Sequence, residues 1–200
     1  DIINKSEWIF LAVTPNVGNK ILKNLKFNKN KMIISFISTI NLTQLKKITG
    51  LKSNIVRAIP LPPIALCKGP VPIYPPNSKV KKFFDKLGST VEISNEKLSL
   101  NFWTTSAMMA PFYEILYSLS NWLVKRGIKK ENAQKYISSL FLALSEDAFN
   151  HNKNLKKLVK ASQTPGGLNQ QAVQDLRKAG FYRLLEKTAS RILKRLNKSQ

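Results

Sequence analysis

Thr164-Pro165-Gly166-Gly167 is the stretch whose residue types and spacing could do chemistry. It lies between two amphipathic runs, in a region with almost no other glycine. Threonine is a good helix cap because its hydroxyl accepts a hydrogen bond from a free amide of the first turn. Proline suits the first helical position, where no amide partner is needed. Two glycines then let a ligand approach the N–H groups at the positive end of the helix. On this reading Thr164 is the cap, and Gly166, Gly167 and the amides of Leu168 and Asn169 seat a carboxylate or phosphate. The Asn169 side chain adds both a donor and an acceptor. The plain alternative is a tight turn between two helices.

Other reactive groupings are sparse. His151 is the only histidine, so a Ser-His-Asp triad would rest on it alone; it reads as a helix-terminal polar residue. No Cys/His spacing suits zinc. Glu146 and Asp147 are adjacent and so point to different sides of a helix. Met108, Met109, Phe112 and Tyr113 read as core or pocket wall, and Trp103 and Trp122 as packing anchors of a helical interface. Cys67 stands alone, which fits a reducing compartment, and reads as a small buried apolar residue.

These groups sit in a chain of 200 residues with 33 basic and 11 acidic side chains, a net charge of +22. A nucleic-acid partner is the obvious reading of such charge. The lysines, however, are spread over the polar faces of helices, as in Lys20, Lys23 and Lys26 or Lys125, Lys129 and Lys130. No helix-turn-helix, zinc-finger or RNP-like signature accompanies them. The charge reads as a solvated surface that attracts anionic ligands. No apolar run is long enough to span a bilayer, and Asp1–Lys5 lacks a signal-peptide pattern, so a cytoplasmic location is expected.

The elements that must position the double glycine fall into two groups. Trp8–Val13 is a continuous apolar run suited to a parallel strand buried on both faces. A helix over Val17–Leu25 follows, then a strand over Met32–Ile37. Asn41 caps a helix over Leu42–Ile48, which Gly50 stops, and Ile55–Ile59 is a third strand. The proline-rich segment Leu61–Pro76 carries a candidate edge strand, Val71–Tyr74. A helix over Lys79–Leu87 and a strand over Thr90–Ile93 complete a doubly wound α/β part. From Asn95 onward the periodicity is helical only: Pro111–Arg126, Lys130–Phe149, Asn154–Ala161, Gly167–Ala179 and Phe181–Leu196. The boundary therefore falls between residues 1–94 and 95–200. The helices carry apolar faces broad enough to serve an oligomer interface as well as a core.

An incomplete α/β half followed by a helical half with a double-glycine turn resembles pyrroline-5-carboxylate reductase. The landmarks come in the family's order. Phe10-Leu11-Ala12-Val13-Thr14-Pro15 is similar to the strand end where the family reads AVKP, and Ile33-Ile34-Ser35 to the next core strand. Val56-Arg57-Ala58-Ile59-Pro60 is similar to VRxMP, and Phe83–Gly88 with Val91-Glu92-Ile93 to the last helix–strand pair of the nucleotide domain. Ala110-Pro111-Phe112-Tyr113 aligns with the end of SGSGPAY, and Ser162–Gly167 with TSPGG. The resemblance implies a partial Rossmann-like parallel sheet, a C-terminal helical dimerisation domain and a homodimer. It implies NADPH or NADH as cofactor, and hydride transfer to the C=N or C=O carbon of a small carboxylate substrate. Ala12, Val13, Thr14, Pro15 and Pro60 would line the nicotinamide. Thr164, Gly166, Gly167, Leu168 and Asn169 would hold the substrate, with Thr164 and Asn169 the best catalytic candidates.

Three departures qualify this. The chain contains no G-x-G-x-x-G, so the pyrophosphate lacks its glycine turn, and weak or no dinucleotide binding is expected of these residues alone. Thr14 stands where the family has lysine. Ala107-Met108-Met109-Ala110, Leu61-Pro62 and Leu168-Asn169 replace smaller or more polar family residues, which points to a related imine or carbonyl acid of different shape as an alternative substrate. A non-enzymatic dimerisation module without cofactor, and a basic nucleic-acid-binding protein, are the competing readings.

Overall fold

The computed structural model describes residues 2–52, 54–150 and 154–198. It divides into two compact units, Asp1–Ser106 with Arg191–Gln200, and Ala107–Ser190.

The first unit is built on five strands: β1 (Trp8–Leu11), β2 (Met32–Ser35), β3 (Ile55–Ala58), β4 (Pro70–Tyr74) and β5 (Ser89–Glu92). They lie in chain order across one sheet. β1, β2 and β3 are mutually parallel, β4 runs antiparallel to β3, and β5 is parallel to β4. The strand period of two sends neighbouring residues to opposite faces. Ile9, Leu11, Ile33 and Ile55 enter one core with Leu22 and Leu45, on the side of α2 (Pro15–Ile21) and α3 (Leu42–Thr49). Ile34, Val56, Ala58, Val71 and Ile73 enter the other with Val80 and Phe84 of α4 (Ser78–Phe84). Both faces of β2 and β3 are thereby covered, which is why their sequences are apolar without alternation. A short α1 (Ile2–Lys5) precedes β1, and α5 (Glu96–Ser106) follows β5.

Local chemistry accounts for the helix ends. The Asn41 carboxamide accepts from the Gln44 amide at 2.8 Å while Gln44 accepts from the Asn41 amide at 2.9 Å, a reciprocal capping box for α3. Gly50 closes the same helix at φ 70°. The expected single helix after β1 is shorter: α2 ends at Ile21 and tightens into a 3₁₀ turn over Leu22–Asn24.

Two expectations are corrected in this unit. The proline-bearing strand is not at an edge; β4 lies between β3 and β5. Gly69 and Ile73 accept through their carbonyls from Ser89 and Ile93 of the β5 side, whereas Pro72 accepts from Ile59 on the β3 side. Pro70 and Pro72 thus aim their missing N–H toward β3, where registered pairing is confined to Arg57–Tyr74 and Ala58–Ile73. Cys67 is exposed rather than buried, because it ends a 3₁₀ turn in the left-handed region at φ 53°.

The second unit contains α6 (Met109–Val124), α7 (Lys130–Asn150), α8 (Leu155–Ala161) and α9 (Leu168–Lys178); α10 (Phe181–Asn197) starts within it. Gly127 at φ 89° turns the chain between α6 and α7, which pack on each other through Phe112 and Phe141, ring centroids 6.0 Å apart. Among the described residues of this unit only Ser120, Ala133 and Ile137 are buried. Tyr117, Trp122, Leu142, Leu144 and Leu184 are each more than half exposed. Trp122 is therefore no packing anchor within the single chain; the Arg126 guanidinium stacks on it at 3.7 Å.

Candidate functional site

The structure changes the reading of the double glycine. The Gly167 amide donates to the Thr164 carbonyl at 2.9 Å, and Gly166 has φ 71°. Proline at the second place of a four-residue turn and a positive φ at the third define a type II β-turn. Thr164 opens that turn and does not cap the helix; the cap residue is Gly167, in extended conformation with no side-chain bond to the first turn. The Thr-Pro pair is as well suited to the turn as to a cap, and the left-handed Gly166 decides between them.

The donor set moves accordingly. The Gly166 amide donates to Gln170 Oε1 at 2.8 Å, so the amides of both glycines are engaged. Gly167 instead accepts, from the Gln171 amide at 3.1 Å. Among the described residues, the backbone N–H groups of Leu168, Asn169 and Gln170 have no partner. They are the orphan amides of an eleven-residue helix, at its positive end. The Asn169 amide group donates to the Ser162 carbonyl at 3.0 Å and ties the end of α8 to the start of α9, leaving its own oxygen uncommitted. Thr164, Leu168 and Asn169 are exposed and Gly167 is half-buried.

In the first unit, Ala12, Val13 and Thr14 follow β1, and Pro15 begins α2. Pro60 follows β3 by two residues and is half-buried. Because β1 and β3 are parallel with one strand between them, these groups share the C-terminal edge of the sheet, about 10 Å apart. That edge is where doubly wound sheets hold ligands. Ala12 and Val13 are exposed there, and Thr14 uses its carbonyl to accept from the Gly18 amide at 2.8 Å.

Sequence reasoning missed the polar hub beneath this edge. Arg57 of β3 is 2% exposed. Its guanidinium donates to Glu96 Oε1 and, at 2.8 Å, to the Ser38 carbonyl, and stacks on the Trp103 ring at 4.5 Å. The same Glu96 oxygen accepts from the Leu42 amide at 2.7 Å, so one carboxylate holds the first turn of α3, strand β3 and α5 together. Burial lowers the Arg57 pKa from its ordinary value, and the hydrogen bond and charge of Glu96 oppose that. Trp103 thus packs on strand β3 through Arg57. The only hint in the sequence was a lone arginine inside an apolar strand, which must find an acid somewhere.

No group of His, Cys, Asp and Glu that could hold a metal ion occurs among the described residues. His151 lies outside them. Glu146 and Asp147 are both exposed on α7. No helix among the described residues is long and apolar enough to cross a membrane.

The geometry can be set beside known proteins. Residues 97–199 match the family model described as pyrroline-5-carboxylate reductase dimerisation. The chain is 20% identical over 190 residues to the pyrroline-5-carboxylate reductase of Escherichia coli K12, covering 90% of this chain and 71% of that one. It is 25% identical over 187 residues to the enzyme of Synechocystis, covering 89% and 69%. Among solved structures, the fold matches the Coxiella burnetii pyrroline-5-carboxylate reductase with a TM-score of 0.83 at 21% identity, covering 98% of this chain and 77% of that one. The Plasmodium falciparum pyrroline carboxylate reductase, solved with NADP bound, gives 0.81 at 22%, covering 96% and 77%. With the dimerisation model matched along half its length and the same sheet-then-helices architecture, the chain belongs to the pyrroline-5-carboxylate reductase family.

Proposed function

We propose that the chain is the larger part of an NAD(P)H-dependent reductase that passes hydride to the C=N carbon, or a C=O carbon, of a small carboxylate substrate. One observation carries this: three unclaimed amides, of Leu168, Asn169 and Gln170, stand behind a rigid type II turn in a member of this family. They take the substrate carboxylate, each charge-assisted bond contributing about 1.5–3 kcal/mol before screening. Gly166 and Gly167 set the turn, and exposed Thr164 and Asn169 are the side chains that would touch the reacting group. Residues 1–94 form the cofactor part and residues 95–200 the substrate and dimerisation part, the homodimer forming through the C-terminal helices.

The fit to the cofactor is partial. Exposed Ala12 and Val13, with half-buried Pro60, offer an apolar edge to a nicotinamide ring. No G-x-G-x-x-G turn within the 200 residues receives its pyrophosphate. The cofactor, when bound, supplies the hydride; the residues of this chain bind the acid, orient it and keep the edge apolar.

The test, made on the full-length reductase of which this chain is the larger part, is loss of reduced-nicotinamide absorbance with pyrroline-5-carboxylate against the same imine lacking its carboxylate. Preference for the acid by about tenfold or more in kcat/KM is expected. Equal turnover of both would overturn the acid seat. Absence of any turnover would favour the second reading, a dimerisation module without catalysis, which the broad exposed apolar faces of the second unit also fit.

A further inference from the structure

A concavity lies at the end of the sheet opposite its C-terminal edge. A cleft of about 390 Å³ opens at the N-terminal ends of β1, β2 and β3, beside the start of α4. That volume is in the range of small-molecule sites. Its apolar wall is Trp8 and Met32, which face each other in register at the first positions of β1 and β2. Both are half-buried and pack against the core cluster of Val56, Val80 and Phe84. Trp8 is held further by Phe83, ring centroids 5.5 Å apart.

Charged groups of both signs line the same cleft: Glu7, Lys31 and Lys79. Among the described residues the Glu7 carboxylate and the Lys79 ammonium form no ion pair, with each other or with any other group. Lys31 is half-buried and held in place, its ammonium donating to the Asn4 carbonyl at 3.0 Å with N–H groups to spare. Asn54 is fixed too, its side chain donating to the Lys29 carbonyl at 3.1 Å and its carbonyl accepting from Ile33 at 2.8 Å. An apolar wall in one cleft with unpaired charges of both signs suits a small zwitterion with an apolar body.

We propose that this cleft binds a free α-amino acid with an apolar side chain. The α-ammonium group meets Glu7, the α-carboxylate meets Lys79 and Lys31, and the side chain lies on Trp8 and Met32. The site is separate from the C-terminal edge of the sheet and does not depend on the reductase reading.

Calorimetric titration of the chain with L-phenylalanine, hydrocinnamate and phenethylamine tests it, since the two analogues each lack one charge. L-Phenylalanine is expected to bind about tenfold tighter than either. Glu7→Gln should reduce it toward the affinity of hydrocinnamate, and Lys79→Met, which leaves Lys31 in place, part of the way to that of phenethylamine. In amide NMR spectra, the shifts should centre on Lys31, Met32 and Asn54. Equal binding of all three probes, indifference to both substitutions, or shifts confined to Leu168–Gln170 would each overturn the proposal.

Discussion

Glu96→Ala removes the acceptor shared by the Arg57 guanidinium and the Leu42 amide. Arg57 is left 2% exposed with its charge uncompensated. Breaking a buried ion pair by deleting one partner costs about 3–5 kcal/mol. Glu96 is 23% exposed, so water relieves part of that, and the lower end applies. The orphaned Leu42 amide adds about 1 kcal/mol, and the total comes to roughly 3–4 kcal/mol. With a urea slope near 2 kcal/mol/M, the midpoint falls by roughly 1.5–2 M. Fluorescence in a Trp122→Phe background reports the first unit alone, because Trp8 and Trp103 both lie there. Glu96→Gln, which keeps an acceptor without the charge, should lose about half as much. The double variant Arg57→Leu with Glu96→Leu should recover most of the loss, since no charge is left buried. A cost below about 1 kcal/mol for Glu96→Ala, or a double variant no better than the single, would refute the hub as drawn.

Gly88→Ala should cost about 2 kcal/mol in the same melt, because its new Cβ would sit 2.4 Å from the Gly69 carbonyl oxygen; an unchanged midpoint would contradict that approach. Thr164→Ala should be neutral within about 0.5 kcal/mol, since only its backbone carbonyl is used, whereas Asn41→Ala should lose about 1 kcal/mol with its capping box; the reverse order would restore the capping role of Thr164. The hydrogen bond from Lys81, then that from Thr90, holds the Asp85 carboxyl below its ordinary value. A carboxylate depressed in the folded state contributes stability above its unfolded pKa and loses it as pH falls through the folded one. An NMR titration should place the Asp85 midpoint below that of a free aspartate, and Lys81→Met should raise it; no upward movement would contradict the pairing.

Much of the fold was legible where one physical cause dominates. Asn41, Gln44 and Gly50 mark both ends of α3 because capping is local chemistry. The unbroken apolar runs at β2 and β3 announce strands covered on two faces. The misreadings come where the same residues serve two geometries. Thr164-Pro165 opens a turn or a helix equally well, and only the φ of Gly166 separates them. Prolines argue for an edge, yet β4 is interior because their missing donors all point to one side. The Arg57–Glu96 pair spans 39 residues, beyond any local pattern. The helical half showed apolar stripes broad enough for an oligomer interface, and what only the structure adds is which side chains, Trp122, Leu142 and Leu184 among them, the single chain leaves exposed.

The most direct measurement is an amide NMR titration of the chain with a five-membered-ring carboxylate such as L-proline. Saturable shifts centred on Leu168, Asn169 and Gln170, and lost in Gly166→Val, where the turn must strain at φ 71°, are the expected result. Shifts scattered over surface lysines, with those three amides unmoved, would contradict the acid seat on which the reductase reading rests.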